Sequence, residues 1–165
     1  MANLAAVTAL AGPGDLICQD KLNHASLIDA ARMSGAHVRT YPHLRLDKLE
    51  RLLGAAPENE RSHKFIITDA VFSMDGDTAD LAALADLASR YNAILVVDEA
   101  HATGVLGPTG AGLAEAQGVS HGVDVSISTA SKALGSLGGI ITSPHREAVI
   151  ETIVNRGRAF IYTTG

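Results

Sequence analysis

The 165-residue chain contains no tryptophan, and aromatic residues make up only 4% of it. Hydrophobic residues nevertheless make up 47%, so the core must be built from Ala, Leu, Ile and Val. No uninterrupted apolar run reaches the roughly 18 residues that a membrane-spanning helix requires, and we therefore expect no membrane partner. The length is sufficient for one domain with a substantial core.

Cysteine and net positive charge are also scarce. Cys18 is the single cysteine, which excludes an internal disulfide and makes a reducing cytoplasm the expected location. Its apolar surroundings predict a buried thiol. The chain carries 13 basic and 18 acidic side chains, a formal net charge of −5. Because nucleic-acid binding favours a basic face, this balance argues against a nucleic-acid partner.

Short apolar runs alternate with segments of helical periodicity along the whole chain. The apolar runs are DLICQD, AHVRTY, KFIITDAVF, AILVVDEA, DVSISTAS and GGIITS. The helical segments between them are HASLIDAARMS, LDKLERLLGAA, TADLAALADLASRY and HREAVIETIVNR, after an N-terminal helix that ends before Gly12-Pro13-Gly14. Runs rich in Val, Ile and Leu are typical of strands buried on both faces. The alternation predicts a three-layer α/β/α domain with a mainly parallel sheet.

Polar side chains follow three consecutive apolar runs. They are Asp69, Ser73, Asp75 and Asp77 after the third run, Asp98, Glu99 and His101 after the fourth, and Ser128, Thr129, Ser131 and Lys132 after the fifth. Asp75 and Asp77 flank Gly76 and are typical of a turn. Asp98 directly follows apolar residues, so we expect a partly buried carboxylate that needs a partner. Ligands bind where parallel strands end, which makes this edge the candidate site.

Asp98 to His101 spell Asp-Glu-Ala-His, and two unrelated sites use these letters. In nucleic-acid helicases the box handles Mg-ATP and requires an upstream phosphate loop, Gly-x-x-x-x-Gly-Lys-Ser/Thr. No Gly-Lys pair occurs in this chain, so a truncated helicase remains only as an alternative. The second use is a pyridoxal-phosphate site, in which a carboxylate faces the ring nitrogen of the cofactor.

A pyridoxal-phosphate site makes three chemical demands. The ring nitrogen needs a carboxylate that keeps it protonated, the aldehyde needs a lysine, and the phosphate needs hydroxyls and backbone amides. Asp98 supplies the carboxylate. Lys132 supplies the amine, with Ser128, Thr129 and Ser131 just before it and the glycine-rich stretch GSLGG just after it. Glycines there allow the backbone to approach a ligand closely.

Five stretches together resemble the α-oxoamine synthases, a family of fold-type I pyridoxal-phosphate enzymes. They are DKLNHASLIDAARMS, ITDAVFSMDGD, LVVDEAHATGVLGPTGAG, STASKALGSLGG and NRGRAFIYTTG, in the family's order. The resemblance implies that residues 1–165 are the central part of the large domain of a fold-type I transferase. It also implies that a glycine-rich N-terminal segment and a small C-terminal domain are absent from this chain, and that the full-length form is a homodimer.

The resemblance assigns roles to residues that meet the cofactor ring. It implies that Lys132 forms the Schiff base with pyridoxal 5'-phosphate and that Asp98 pairs with the ring nitrogen. His101 would hydrogen-bond the ring hydroxyl. His24 would stack on the ring and lie near the substrate, as a catalytic and binding residue. The resemblance implies no metal.

The remaining assignments concern the phosphate and the substrate. Thr129 matches a threonine that holds the phosphate, Ser73 a serine beside the cofactor, and Asp69 an acidic position near the substrate. Thr163 and Thr164 match a segment that reaches the cofactor of the partner subunit. The histidines that match no position of the family are expected at the surface: His37, His43, His63, His121 and His145.

The activity implied by the resemblance is condensation of an amino acid with an acyl-CoA thioester, with loss of CO2 and CoA. Lys132 would remove the α-proton as general base. Two stretches, VFSMDGDTADLAALADLASRY and NRGRAFIYTTG, favour the members that use L-alanine and a pimeloyl thioester in biotin synthesis. AHATGVLGPTG favours those that use glycine and acetyl-CoA. An inactive gene fragment is a further alternative, in which the chain alone binds the cofactor weakly and does not catalyse condensation.

Overall fold

Six strands form one sheet in the part of the chain that the computed structural model describes, residues 1–56 and 62–162. The strands are Leu16–Asp20 (β1), His37–Tyr41 (β2), Lys64–Asp69 (β3), Ala93–Asp98 (β4), Val125–Thr129 (β5) and Gly139–Thr142 (β6). Their order across the sheet is β2-β1-β3-β4-β5-β6. All neighbours run parallel except β6, which lies antiparallel to β5. The predicted mainly parallel sheet is confirmed.

Helices lie at the five places that the sequence predicts, and two further helices of four residues each were not predicted. They are Ala2–Leu10 (α1), Ala25–Met33 (α2), Leu46–Gly54 (α3), Leu81–Arg90 (α4), Leu113–Ala116 (α5), Glu151–Arg156 (α6) and Arg158–Ile161 (α7). A 3-10 turn spans Ser120–Gly122, and a π-helical turn, Arg146–Ile150, precedes α6. The Asp80 side chain accepts a hydrogen bond from Ala83 N and begins α4. None of the helices among the described residues has the length and apolar character to cross a membrane.

The core lies in two layers, one on each face of the sheet. Leu49 of α3 and Leu84 of α4 belong to one cluster, whereas Val7 of α1 and Leu27 of α2 belong to the other. Neighbouring strand residues point to opposite faces, so β1, β2, β3 and β4 contribute to both clusters, whereas the packed apolar side chains of β5 and β6 belong to the cluster of α1 and α2. Together with the sheet order, this confirms the three-layer α/β/α architecture.

Cys18 of β1 is fully buried in the layer under α3 and α4, as predicted. Burial raises the pKa of its thiol to about 12. A thiol of this kind is protonated at neutral pH and therefore unreactive, because the thiolate is the nucleophilic form.

His43 does not lie at the surface, and that prediction was wrong. Its side chain is 21% exposed, with Nδ1 2.8 Å from Asp20 Oδ1 and Nε2 2.8 Å from Asp77 Oδ2. The ring also meets Phe72 edge to face, with centroids 4.4 Å apart. The physical reason is the sheet order: β1 and β3 are neighbours, so Asp20 at the end of β1 and Asp77 in the segment after β3 lie near one imidazole.

His43 should make stability depend on pH. Burial is the largest single influence and lowers its pKa, but the hydrogen bonds to Asp77 and Asp20 and their charges outweigh it, so the pKa is raised from 6.5. A group whose pKa is raised in the fold stabilises it fully below the unfolded pKa and loses that effect as pH rises through the folded pKa. We expect His43→Gln to be less stable than wild type near pH 6, and the difference in the free energy of unfolding to narrow as pH rises through the folded pKa of His43.

Urea unfolding of both proteins at several pH values from about pH 6 upwards measures this difference in the free energy of unfolding. His121→Gln, which changes an exposed histidine in the turn Ser120–Gly122, is the matched control and should follow the wild-type curve. A gap between His43→Gln and wild type that stays constant with pH would contradict a charged, bridging imidazole.

Candidate active site

The carboxyl ends of β3, β4 and β5 and the starts of α1 and α2 line a cavity of about 430 Å³. The cavity is lined by the described residues to which the sequence assigns a role: His24, Asp69, Ser73, Asp98, His101, Thr129 and Lys132. The parallel strands explain this arrangement, because their carboxyl ends meet at one edge of the sheet. Thr163 and Thr164 lie outside the described residues. No metal-binding group of three or more His, Cys, Asp or Glu side chains is found in residues 1–56 and 62–162.

Asp98, the last residue of β4, is buried with 6% of its surface exposed. Both carboxylate oxygens have donors: Ala100 N donates to Oδ1 at 2.9 Å, and Asn3 Nδ2 donates to Oδ2 at 2.7 Å. A buried carboxylate requires such partners. These two bonds fix the orientation of the carboxylate at the cavity wall.

Asp69, the last residue of β3, is a second buried carboxyl group on the same cavity. His24 N donates to its Oδ2 at 2.7 Å, so the side chain also ties the end of β3 to the start of α2. Burial, followed by the negative charge of Asp98, raises the pKa of Asp69 to about 7. The group can therefore hold or release a proton near neutral pH.

Replacing Asp69 should stabilise the protein at and above neutral pH. Its folded pKa lies above the unfolded value of about 3.9, so the ionised carboxyl is disfavoured in the fold and wild-type stability falls between about pH 4 and pH 7. Asp69→Asn keeps an oxygen that can accept from His24 N. We expect a gain of roughly 1–3 kcal/mol in the free energy of unfolding at about pH 8.

The gain is measured by urea unfolding of the chain without added ligand at several pH values. It should disappear towards about pH 4, where wild-type Asp69 is protonated in the folded state. Asp29→Asn, at an exposed position of α2, is the matched control and should show no such slope. Equal pH dependence of Asp69→Asn and wild type would contradict the raised pKa.

His101 and Lys132 are exposed on the cavity wall. Partial burial, followed by the positive charge of Lys132, lowers the pKa of His101. The imidazole is therefore neutral at neutral pH, with one nitrogen as donor and the other as acceptor. Lys132 lies in a loop that folds back on β5, in which Gly135 and Gly138 have φ values of 60° and 109°. Such left-handed conformations favour glycine.

A group of hydroxyls lies beside Lys132 at the end of β5. Thr129 Oγ1 and Ser131 Oγ are 2.8 Å apart, and Ser128 Oγ is 2.7 Å from Thr103 Oγ1. Thr129, Ser131, Ser128 and Lys132 all line the cavity. Hydroxyl donors next to an ammonium group suit an anionic ligand group.

Glu99 differs from its neighbour Asp98 because it does not line this cavity. It is buried, and its two oxygens each accept a 2.9 Å hydrogen bond, from Leu113 N and Ala114 N at the start of α5. Gly112 has φ 127°, and a Cβ there would lie 2.6 Å from Glu99 Oε2. In the Asp-Glu-Ala-His stretch, Asp98 and His101 therefore face the cavity, while Glu99 secures the following loop.

The sequence did not identify Asn3 and Ser26, which also line the cavity. Asn3 is 8% exposed within helix α1, whose other residues are apolar except for Thr8. A buried polar side chain among apolar neighbours requires a partner, and this was the one signal available in the sequence. Ser26 follows the N-cap of α2, a position where serine is common for local reasons, so it gave no signal.

Comparison with known proteins assigns the family. The family model for aminotransferase class I and II matches residues 1–165. The chain is 51% identical over 164 residues to the 8-amino-7-oxononanoate synthase of Burkholderia thailandensis, covering 99% of this chain and 40% of that protein.

Solved structures with the same fold agree. The serine palmitoyltransferase of S. paucimobilis, solved with PLP and myriocin bound, has a TM-score of 0.92 at 33% identity, covering 99% of this chain and 40% of that one. The 8-amino-7-oxononanoate synthase of Francisella tularensis has a TM-score of 0.81 at 33% identity, covering 99% and 46%. The chain thus spans less than half the length of these relatives. The resemblance to the α-oxoamine synthases is confirmed, and the chain belongs to the aminotransferase class I and II family.

Proposed function

We propose that this cavity holds pyridoxal 5'-phosphate and that the protein carrying this chain is an 8-amino-7-oxononanoate synthase, which condenses L-alanine with a pimeloyl thioester. One observation carries the proposal: a buried carboxylate, a lysine, two histidines and a row of hydroxyls line a single cavity. The name of the Burkholderia thailandensis relative supports the choice of reaction.

The donor set of the cavity fits this cofactor. Its volume of about 430 Å³ lies within the usual range of small-molecule sites, about 300–1,000 Å³. Lys132 would hold the aldehyde through its amine, and Asp98 would face the ring nitrogen. Thr129 and Ser131, beside Lys132, would donate to the phosphate. His24 and His101 would contact the ring and its hydroxyl.

Asp98 and Lys132 would have different roles in the reaction. When bound, pyridoxal phosphate supplies an electron-withdrawing ring that stabilises negative charge at the α-carbon of the amino acid. Asp98 is anchored by Ala100 N and Asn3 Nδ2, so its negative charge is fixed where it favours a protonated ring nitrogen. Lys132 Nζ would remove the α-proton of L-alanine as general base.

Asp69 and His24 would serve the substrate side of the cavity. The bond from His24 N to Asp69 Oδ2 orients the start of α2. With a pKa of about 7, Asp69 would be able to keep a proton at its carboxyl group at neutral pH. A protonated Asp69 would add no second negative charge beside Asp98, and it would offer an O–H donor to the substrate.

The proposal extends to assembly and location. We infer a homodimer in the cytoplasm, with Thr163 and Thr164 near the cofactor of the partner subunit, and residues 1–165 as the central part of the large domain. The cytoplasmic location is supported by the single, buried Cys18, since it forms no disulfide.

Release of CoA tests the proposed reaction directly. The protein that carries this sequence is supplied with pyridoxal phosphate and with one of two substrate pairs, L-alanine with pimeloyl-CoA or glycine with acetyl-CoA. We expect sustained release only with the first pair. Faster release with glycine and acetyl-CoA would favour a 2-amino-3-ketobutyrate CoA ligase instead, and no release with either pair would contradict both reactions.

A further inference from the structure

Four side chains form a continuous hydrogen-bonded series from the mouth of the cavity to its buried carboxylate. His24 Nδ1 lies 2.7 Å from Ser26 Oγ. Asn3 Nδ2 lies 2.8 Å from the same hydroxyl and 2.7 Å from Asp98 Oδ2. The series joins three elements, α1, α2 and β4, whose residues are far apart in the sequence.

Asp98 sets the orientation of the Asn3 amide, from which the rest of the series follows together with the bond from Ser26 N. An ionised carboxylate only accepts hydrogen bonds, so Asn3 must present its NH2 group to Asp98 rather than its oxygen. The second hydrogen of the same NH2 group is donated to Ser26 Oγ. The Ser26 hydroxyl is then free to donate to His24 Nδ1, which also receives Ser26 N at 3.3 Å. In the neutral form of the ring, His24 Nδ1 is therefore an acceptor, and the N–H lies on Nε2.

We propose that Asn3 is a positioning residue, whose single side-chain amide orients the Asp98 carboxylate and, through Ser26, fixes the N–H of His24 on Nε2. The consequence for catalysis rests on the proposed function, in which Asp98 and His24 both meet the cofactor ring. One amide in α1 would then set the orientation of the two groups together. The tautomer of His24, in contrast, is a property of the protein without any cofactor.

Rotation of the Asn3 amide would reverse the direction of the hydrogen bonds in the series. Its Oδ1 is buried and has no hydrogen-bond partner among the described residues, so one polar atom is spare in the present orientation. If residue 98 presented a donor, the amide would rotate and place Oδ1 towards it. Ser26 would then donate to Asn3 Oδ1, and its oxygen would be free to accept a proton from His24 Nδ1.

The test is the ring 15N NMR spectrum of His24 in the cofactor-free chain at neutral pH, because the two ring nitrogens have different shifts in the two tautomers. We expect wild type to carry its N–H on Nε2. Asp98→Asn should move a measurable fraction to Nδ1, although residue 98 makes no direct bond to His24. When Asn3 is already alanine, adding Asp98→Asn should cause no further change in the His24 tautomer.

Variants of Ser26, which lies between Asn3 and His24 in the series, provide the test if the Asn3 variant does not fold. Ser26→Ala keeps the backbone N–H that donates to His24 Nδ1 but removes the shorter bond from the hydroxyl, so it should raise the Nδ1–H fraction above that of wild type. Ser26→Thr, which restores the hydroxyl, should return the wild-type spectrum. Asn155→Ala, which removes an exposed amide that donates to Glu151 O, should leave the His24 spectrum unchanged. An N–H on His24 Nδ1 in wild type, or a spectrum unaffected by Asp98→Asn and Ser26→Ala, would overturn the proposal.

Turnover provides the second readout. Asn3→Ala should lower kcat about ten- to a hundredfold, because a hydrogen bond to a charged group is lost, while the KM for L-alanine changes less than about twofold. In the Asp98→Asn background the same change should have little further effect, since residues that act through one another are not additive. If Asn3→Ala lowers kcat by the same factor whether residue 98 is Asp or Asn, the proposed action of Asn3 through Asp98 is wrong. Failure of the proposed reaction itself would leave the tautomer result standing.

Discussion

Asp98→Asn should lower turnover by roughly 10³-fold or more while leaving the cofactor attached. The amide is nearly the same size as the carboxylate but carries no charge. It cannot favour a protonated ring nitrogen, so the ring withdraws electrons less strongly as charge develops at the α-carbon. Fixed charge at the place where charge develops is among the largest contributions to catalysis.

The fold should tolerate this change. Ala100 N, the donor to Oδ1, can still donate to the new amide oxygen. Asn3 can rotate and offer its partnerless Oδ1 to the new NH2 group, so the donor created at position 98 has an acceptor. Melting temperature and cofactor absorbance should therefore stay close to wild type when CoA release is measured. Asp29→Asn is the control for removal of a carboxylate far from the cavity, and turnover of Asp98→Asn close to wild type would reject the role of the charge.

Lys132→Ala should abolish both covalent attachment of the cofactor and measurable turnover. The substitution removes the amine that would bind the aldehyde and act as general base. Lys132 is exposed in the loop after β5, and its side chain makes no packing contribution to either core cluster. The free energy of unfolding should therefore change by less than about 0.5 kcal/mol.

Two companion variants separate the amine from its charge and from the other lysines. Lys132→Arg keeps the positive charge near His101, but an arginine stays protonated and cannot replace the nucleophilic amine. It should be as inactive as Lys132→Ala. Lys64→Ala, at the opposite end of β3 from Asp69, should retain activity. Turnover by Lys132→Ala above the level without enzyme would contradict the assignment.

The sequence predicts those parts of the site that follow from one strand at a time. The apolar run before Asp98 predicts β4, and the parallel sheet then requires that its end lies beside the ends of β3 and β5. Asp69, Asp98 and Lys132 could therefore be placed on one edge. Alternation along a strand also explains why Glu99 turns away from the cavity that Asp98 faces.

Contacts between distant elements could not be predicted in the same way. Asn3 and Asp98 are 95 positions apart, and nothing in the helix around Asn3 indicates which strand end it meets. His43 was placed at the surface because it matches no position of the family, and neither of its partners, Asp20 and Asp77, is near it in sequence. Both cases depend on the order of strands in the sheet, which local periodicity does not specify.

Covalent trapping of the cofactor tests the central claim, that this cavity binds pyridoxal phosphate through Lys132. The chain is mixed with pyridoxal phosphate, reduced with borohydride and digested, and the pyridoxyl group is located by mass spectrometry, with Lys132→Arg treated in parallel. We predict that the group lies on the peptide containing Lys132 and is absent from Lys132→Arg. Labelling of Lys21, Lys48 or Lys64 in its place, or equal labelling of Lys132→Arg, would contradict the claim.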